Sequence, residues 1–159
     1  MTTEFDLLGQ QLKALVSGET DTLANAANFV ALIHDALADV NWTGIYLLRA
    51  TDLVLGPFQG KPACTRIALG NGVCGTAAKS RETQRVADVH EFAGHIACDP
   101  DSRSELVVPL LVGQRLLGVL DIDSPERSRF SAADQSGVES LCKTFIETQD
   151  EGRLLSLID

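Results

Sequence analysis

Three cysteines lie within a short span, each beside Gly, Pro or His: Cys64 in Pro62-Ala63-Cys64-Thr65, Cys74 in Gly72-Val73-Cys74-Gly75 and Cys98 in His95-Ile96-Ala97-Cys98-Asp99. Such thiols serve as buried fillers, metal ligands, halves of structural disulfides or redox nucleophiles. Cys98 is bracketed by His95 and Asp99. An imidazolium there would lower its pKa, and a neutral imidazole could take its proton. Cys64, following Gly60 and Pro62, can act as its resolving partner in a cycle of sulfenic acid and disulfide. Cys74 sits at a helix start, where the dipole would stabilise a thiolate and lower its pKa; a small buried filler beside Ala77 fits it equally well. Cys142 falls among Leu141 and Phe145 and reads as an inert core thiol. Zinc is the rival, with Cys64, Cys74, Cys98, His90 and His95 as ligands. No pair of cysteines forms C-x-x-C, so no common zinc pattern is matched, and the residues alone leave that reading open.

Three acids form a second group. Asp121 and Asp123 stand two apart near the end of one strand, so they share a face with Val119. Glu105 begins the neighbouring strand across a hairpin. Carboxylates on a half-apolar face are costly unless they meet a cation. An ammonium-bearing ligand is the sharper reading, and solvated acids before the turn Ser124-Pro125 are its competitor. Gly70-Asn71-Gly72-Val73-Cys74-Gly75 matches G-x-G-x-x-G, with Asp88 or Glu91 downstream. A dinucleotide fold needs several strand–helix–strand units, and one is visible, so the glycines are read as turn residues at a helix start.

The elements that must position these groups follow from periodicity. Residues 3–17 form a helix, with Phe5, Leu8, Leu12, Leu15 and Val16 on one face and Gly18 ending it. A second helix spans about 21–38, with Leu23, Ala27, Val30, Ile33 and Leu37 in its stripe. Strands are expected at 42–48 and 53–58, joined by a short link, then an extended piece near 65–68, a helix at 73–79 and a strand at 85–89. The stretch 88–103 has no clean period and is read as an active-site loop. Strands at 105–112 and 115–123 flank the two-residue turn Gly113-Gln114. Ser131 caps a last helix, about 132–150, with Val138, Leu141, Cys142, Phe145 and Ile146 inward. Two hairpins and no dividing linker predict one α+β domain over 1–159, an antiparallel sheet with helices on one side.

Composition narrows the class. The chain has 159 residues, 45% of them hydrophobic and 5% aromatic, enough for one compact, aliphatic core. Its 13 basic and 22 acidic residues give a net charge of −9 with no basic block, which argues against a nucleic-acid partner. The N-terminus lacks a basic start and apolar run, and residues 106–112, interrupted by Pro109, are too short to span a bilayer. A cytoplasmic location without membrane attachment is therefore expected, where reactive thiols outweigh a static disulfide framework.

Trp42-Thr43-Gly44-Ile45-Tyr46, Gly56-Pro57-Phe58-Gln59-Gly60-Lys61-Pro62-Ala63-Cys64, Gly72-Val73-Cys74-Gly75-Thr76-Ala77, the segment 90–99, Ser104-Glu105-Leu106-Val107-Val108-Pro109-Leu110 and Leu120-Asp121-Ile122-Asp123-Ser124-Pro125 together resemble the free methionine-(R)-sulfoxide reductases, stand-alone GAF-domain enzymes. The resemblance runs from the second helix to the last and includes the spacing of all three loop cysteines. Ala93 departs from it, standing where the family typically has Pro before Gly94-His95. The resemblance implies a six-stranded antiparallel GAF sheet with helices packed on one face and a closed pocket on the other. It implies a homodimer, Cys98 as nucleophile, Cys64 as principal resolving thiol and Cys74 as an auxiliary thiol. Glu105, Asp121 and Asp123 would bind and orient the substrate, and Trp42 and Tyr46 would line the pocket around its methyl and thioether end. Thioredoxin or a similar dithiol would be the reductant, and no metal or organic cofactor is needed. The alternative is a GAF-type sensor that binds a small molecule without catalysis.

Overall fold

A computed structural model of the chain describes residues 1, 3–96 and 98–159. Helices at both ends of the chain enclose a sheet: α1 (Glu4–Val16), α2 (Thr22–Ala36), β1 (Trp42–Arg49), β2 (Asp52–Gln59), β3 (Arg66–Ala68), α3 (Gly72–Ser80), β4 (Gln84–Val86), β5 (Ser104–Val112), β6 (Arg115–Ser124), α4 (Ala132–Thr148) and α5 (Glu151–Leu155). The strands form one antiparallel six-stranded sheet in the order β3-β2-β1-β6-β5-β4.

Strand alternation sends each face of the sheet into a different core. Ile45, Leu47, Leu106, Val108, Leu110, Leu120 and Ile122 pack under α1, α2 and α4. Trp42, Tyr46, Val107 and Val119 point the other way, where α3 covers them with Val73, Cys74, Ala77 and Ala78. The longer helices thus lie on one face, as expected, and the short α3 shares the opposite face with the site. Capping boxes at Thr3/Asp6 and Ser131/Asp134 start α1 and α4 by satisfying otherwise orphaned amides.

The N-terminal stripes hold in part. Leu8, Leu12 and Val16 of α1 and Val30, Ile33 and Leu37 of the second stripe are buried as expected. Leu15, Leu23 and Ala27 are exposed, and α2 buries Asn25, Ala26 and Phe29 as well. The Asn25 side chain is tied to the Glu19 carbonyl and to Gln149, and the Phe29 ring stacks on Phe145 at 4.5 Å. These specific partners outweigh the aliphatic count. The expected strand at 85–89 is shorter, because the Asp88 side chain caps a 3-10 turn, Val89–Glu91, that turns the chain away. The last helix stops at Thr148, and Asp150 caps α5, which periodicity over so few residues does not reveal.

Two backbone features place side chains at the site. In the β5–β6 hairpin the register shifts between Leu110 and Leu111, so Leu117 is an extra residue on β6. Beyond that bulge Glu105 faces Asp123 and Val107 faces Asp121. On β1, Trp42 faces Asp123 and Gly44 faces Asp121. A Cβ on Gly44 would strike the Trp42 ring and come within 2.7 Å of Phe58 Cβ, so glycine lets the indole lie flat along the strand. Gly44→Ala is expected to lower the unfolding free energy by about 1–3 kcal/mol in urea titration. An unchanged midpoint would mean that the indole slides aside freely.

Candidate active site

The pocket lies between the α3 face of the sheet and the loop 88–103. Its floor is a row of strand residues: Trp42 on β1, Asp121 and Asp123 on β6, and Glu105 on β5. Tyr46, Ile67 and Val73 form apolar walls, Cys74 reaches in from α3, and Pro62, Ala63, Ile96, Cys98 and Asp99 close the rim. The two loop thiols of that rim, Cys64 and Cys98, are joined as a disulfide with Cα atoms 5.6 Å apart.

Each loop is held by named bonds. The Trp42 indole N–H donates to the Lys61 carbonyl at 3.0 Å, and the Tyr46 hydroxyl donates to the Cys64 carbonyl at 2.9 Å. The aromatic floor therefore also fixes the Cys64 segment. On the other side, the Val89 amide donates to the Arg103 carbonyl and the Arg103 amide to the Ser124 carbonyl. Asp88 caps the 3-10 turn and pairs with Arg127 at 3.0 Å. Lys61 Nζ meets Asp101 at 2.7 Å, bridging the two cysteine-bearing segments at the surface.

The floor is anionic and secluded. Glu105, Asp121 and Asp123 are buried, and among the described residues Glu105 Oε2, Asp121 Oδ1 and Asp123 Oδ1 accept no hydrogen bond. His95 Nε2 approaches Glu105 Oε2 at 3.5 Å, an ion-pair distance without hydrogen-bond geometry. Burial pushes the Asp121 carboxyl well above the usual carboxylate range, and the neighbouring Glu105 charge adds to it. Burial does the same to Asp123, reinforced by the charges of Asp121 and Glu105. Unpaired buried carboxylates cost several kcal/mol each, roughly, unless a cation or a shared proton compensates them. A pocket built this way is prepared for a small cationic group.

The GAF domain family profile matches residues 21–145. The chain is 53% identical over 134 residues to the free methionine-R-sulfoxide reductase of Escherichia coli (strain K12), covering 84% of this chain and 81% of that one. A Staphylococcus aureus structure described as fRMsr in complex with substrate superposes with a TM-score of 0.88 at 46% identity, covering 93% of this chain and 97% of that one. The free methionine-R-sulfoxide reductase of Neisseria meningitidis, in complex with its substrate, gives a TM-score of 0.88 at 38% identity, covering 97% and 92%. The chain belongs to the free methionine-R-sulfoxide reductase family.

Against the sequence-based expectations for this reductase-family chain, Cys64, Cys98, Cys74, Glu105, Asp121, Asp123, Trp42 and Tyr46 all come together around one pocket. Two details differ. Cys74 is the third residue of α3, yet its thiol pKa is raised well above the ordinary value, not lowered. Desolvation dominates, and the charges of Asp121, Glu105 and Asp123 add to it, outweighing the helix N-terminus. His95, expected to act on Cys98, sets its Nε2 on Glu105 instead. The zinc set of loop thiols and histidines is not assembled, because Cys64 and Cys98 are joined to each other and His90 Nδ1 bonds Asp88. Cys142 is buried in the helical core, its pKa raised by desolvation, as read. Sequence reasoning missed Ser102, whose buried hydroxyl lines the pocket without a partner among the described residues, and the walls Ile67 and Val73. An alternating pattern in β3 could have found Ile67; Ser102 gives no signal outside the fold.

Proposed function

We propose that the chain reduces free L-methionine-(R)-S-oxide to methionine, using Cys98 as nucleophile and Cys64 as resolving thiol. The observation that carries this reading is the Cys64–Cys98 disulfide on the rim of a pocket floored by three buried carboxylates, each with one oxygen that accepts no hydrogen bond among the described residues. The substrate ammonium meets Glu105, Asp121 and Asp123, while Trp42 and Tyr46 pack against the methyl and thioether end. The Cys98 thiolate attacks the sulfoxide sulfur as the oxygen is protonated by a carboxyl of the cluster. Asp123 suits that role, since burial and both acidic neighbours favour its protonated form. Methionine leaves and the oxygen stays on Cys98 as a sulfenic acid. Cys64 condenses with it, releasing water and forming the disulfide. Thioredoxin or a similar dithiol of the cytoplasm then restores both thiols by exchange. Tyr46 stays neutral throughout, because burial and the charge of Asp121 push its pKa up. Cys74 is an auxiliary thiol, protonated in the resting state.

We further assign a homodimer, supported by Leu7 and Leu15 on α1 and Leu23 on α2, which are exposed apolar side chains that a second copy could cover.

Incubation with racemic free methionine sulfoxide and dithiothreitol, resolved by chiral chromatography, should consume the R form alone. N-acetylmethionine sulfoxide lacks the ammonium and would strand the buried acids, so its kcat/KM should be lower by roughly 10^3–10^5-fold. Loss of neither diastereomer, in folded and reduced protein, would leave a ligand-binding GAF domain. Equal rates for the acetylated compound would remove the carboxylates from substrate recognition.

A further inference from the structure

Cys74 is not consumed by the disulfide and has no required step in the proposed cycle, yet it is buried against the acidic floor. Its Sγ, one carboxylate oxygen of Glu105 and one of Asp121 all lie within 4.8 Å of one another. The three donors come from α3, β5 and β6, elements fixed by the sheet and by the core on its α3 face, so the spacing belongs to the fold and not to a loop. Independently of that proximity, Asp121 Oδ1 is buried and accepts no hydrogen bond among the described residues, with Asp123 Oδ1 in the same condition beside it. Glu105 Oε2 likewise accepts none, with His95 Nε2 3.5 Å away.

We propose that Cys74, Glu105 and Asp121 form a three-donor site for a thiophilic divalent cation, Zn2+ or Cd2+, which shuts the substrate pocket when bound. Sulfur with two carboxylate oxygens selects a borderline or soft cation over Mg2+ or Ca2+, which take oxygen donors. Three protein donors leave the fourth position of a tetrahedral ion to water from the pocket. Binding deprotonates the Cys74 thiol and releases its proton to solvent, while the two positive charges answer the buried carboxylates. The cation and a substrate ammonium need the same oxygens, so they exclude each other; this exclusion rests on the function proposed above. The site is independent of the redox state of Cys64 and Cys98, since neither contributes a donor.

The test uses full-length protein with the Cys64–Cys98 disulfide closed, titrated with Cd2+ and followed by the ultraviolet thiolate-to-metal absorption. One equivalent should bind, Zn2+ should displace it, and Mg2+ should not. Cys74→Ser should abolish the absorption and Cys142→Ser should retain it. Glu105→Gln should weaken binding by at least about tenfold, the lower end of what losing even an outer-sphere partner costs. Circular dichroism establishes that each variant is folded, and Glu105→Gln carries the test if Cys74→Ser is not. Absorption that persists in folded Cys74→Ser, or none in the parent protein, overturns the site. Methionine sulfoxide, which the oxidised protein cannot reduce, should displace Cd2+. If calorimetry shows it binding without displacing the ion, the exclusion is wrong; if it does not bind at all, the functional reading fails while the metal site stands.

Discussion

Cys98→Ser is expected to abolish reduction of free methionine-(R)-sulfoxide, lowering kcat by roughly 10^4-fold or more, as loss of a nucleophile does elsewhere. A hydroxyl has neither the thiolate's nucleophilicity nor a stable oxidised form to carry the oxygen away. Cys64→Ser should behave differently. Pre-reduced and without added reductant, both the parent and Cys64→Ser should release one methionine per chain, because attack on sulfur precedes resolution. The parent ends that turnover with the Cys64–Cys98 bridge closed. The variant ends with a sulfenic acid that a dimedone probe labels, and thioredoxin should fail to sustain it. Rapid multiple turnover by Cys64→Ser with thioredoxin would transfer the resolving role to Cys74. A burst from Cys98→Ser would remove Cys98 as nucleophile.

Asp123→Asn should move activity and stability in opposite directions. Asparagine keeps the shape but cannot transfer a proton to the sulfoxide oxygen, so kcat should fall by about 10^2–10^4-fold. The reacting form of Asp123 is itself neutral, so the neutral amide should leave KM little changed and the loss should fall on kcat. In the parent, the acid must be protonated, so activity present below its raised pKa is lost as pH rises through it; that alkaline limb should vanish in the variant. Stability follows from the same shift. Between the ordinary value of 3.8 and the raised value, the folded protein holds a proton that the unfolded chain has released. Folded stability therefore falls as pH rises through that window. The amide that replaces the carboxyl does not titrate and carries no such penalty. The variant's Tm should therefore exceed the parent's at neutral and alkaline pH, by about 2–4 °C for each 1 kcal/mol relieved. A variant with lower Tm than the parent at every pH would mean that the carboxylate is held by bonds that outweigh its burial.

The acid pair was legible in the sequence because a strand has a period of two: Asp121, Asp123 and Val119 must share a face, and they do. Glu105 was harder. Counting back from the Gly113-Gln114 turn in plain register would set Glu105 opposite Ile122, on the helix face. The extra residue Leu117 shifts the pairing by one and turns Glu105 to the acids. The visible trace of that shift is Gly118 inside a strand, where a Cβ would run into the Tyr46 carbonyl. The loop thiols were legible from their neighbours and from family resemblance, but the Cys74 environment was not. A helix start suggested a lowered pKa; burial reverses it, and the three carboxylates that add to the shift arrive from strands far along the chain. The α2 stripe was legible at Val30, Ile33 and Leu37 but missed Asn25 and Phe29, which are held inward by Gln149 and Phe145, partners that periodicity within one helix cannot register.

Cys64 and Cys98 are separated by 34 positions, and the segment between them contains β3, α3 and β4. Closing that ring restricts the unfolded chain, and loop entropy assigns it roughly 3–4 kcal/mol of added stability. The cycle proposed above would therefore alternate between a sturdier and a softer protein. When reductant runs short the molecules accumulate in the sturdier form, spent but hard for proteases to open. Under that cycle, two electrons per chain would return the spent form to the softer, active one without unfolding it.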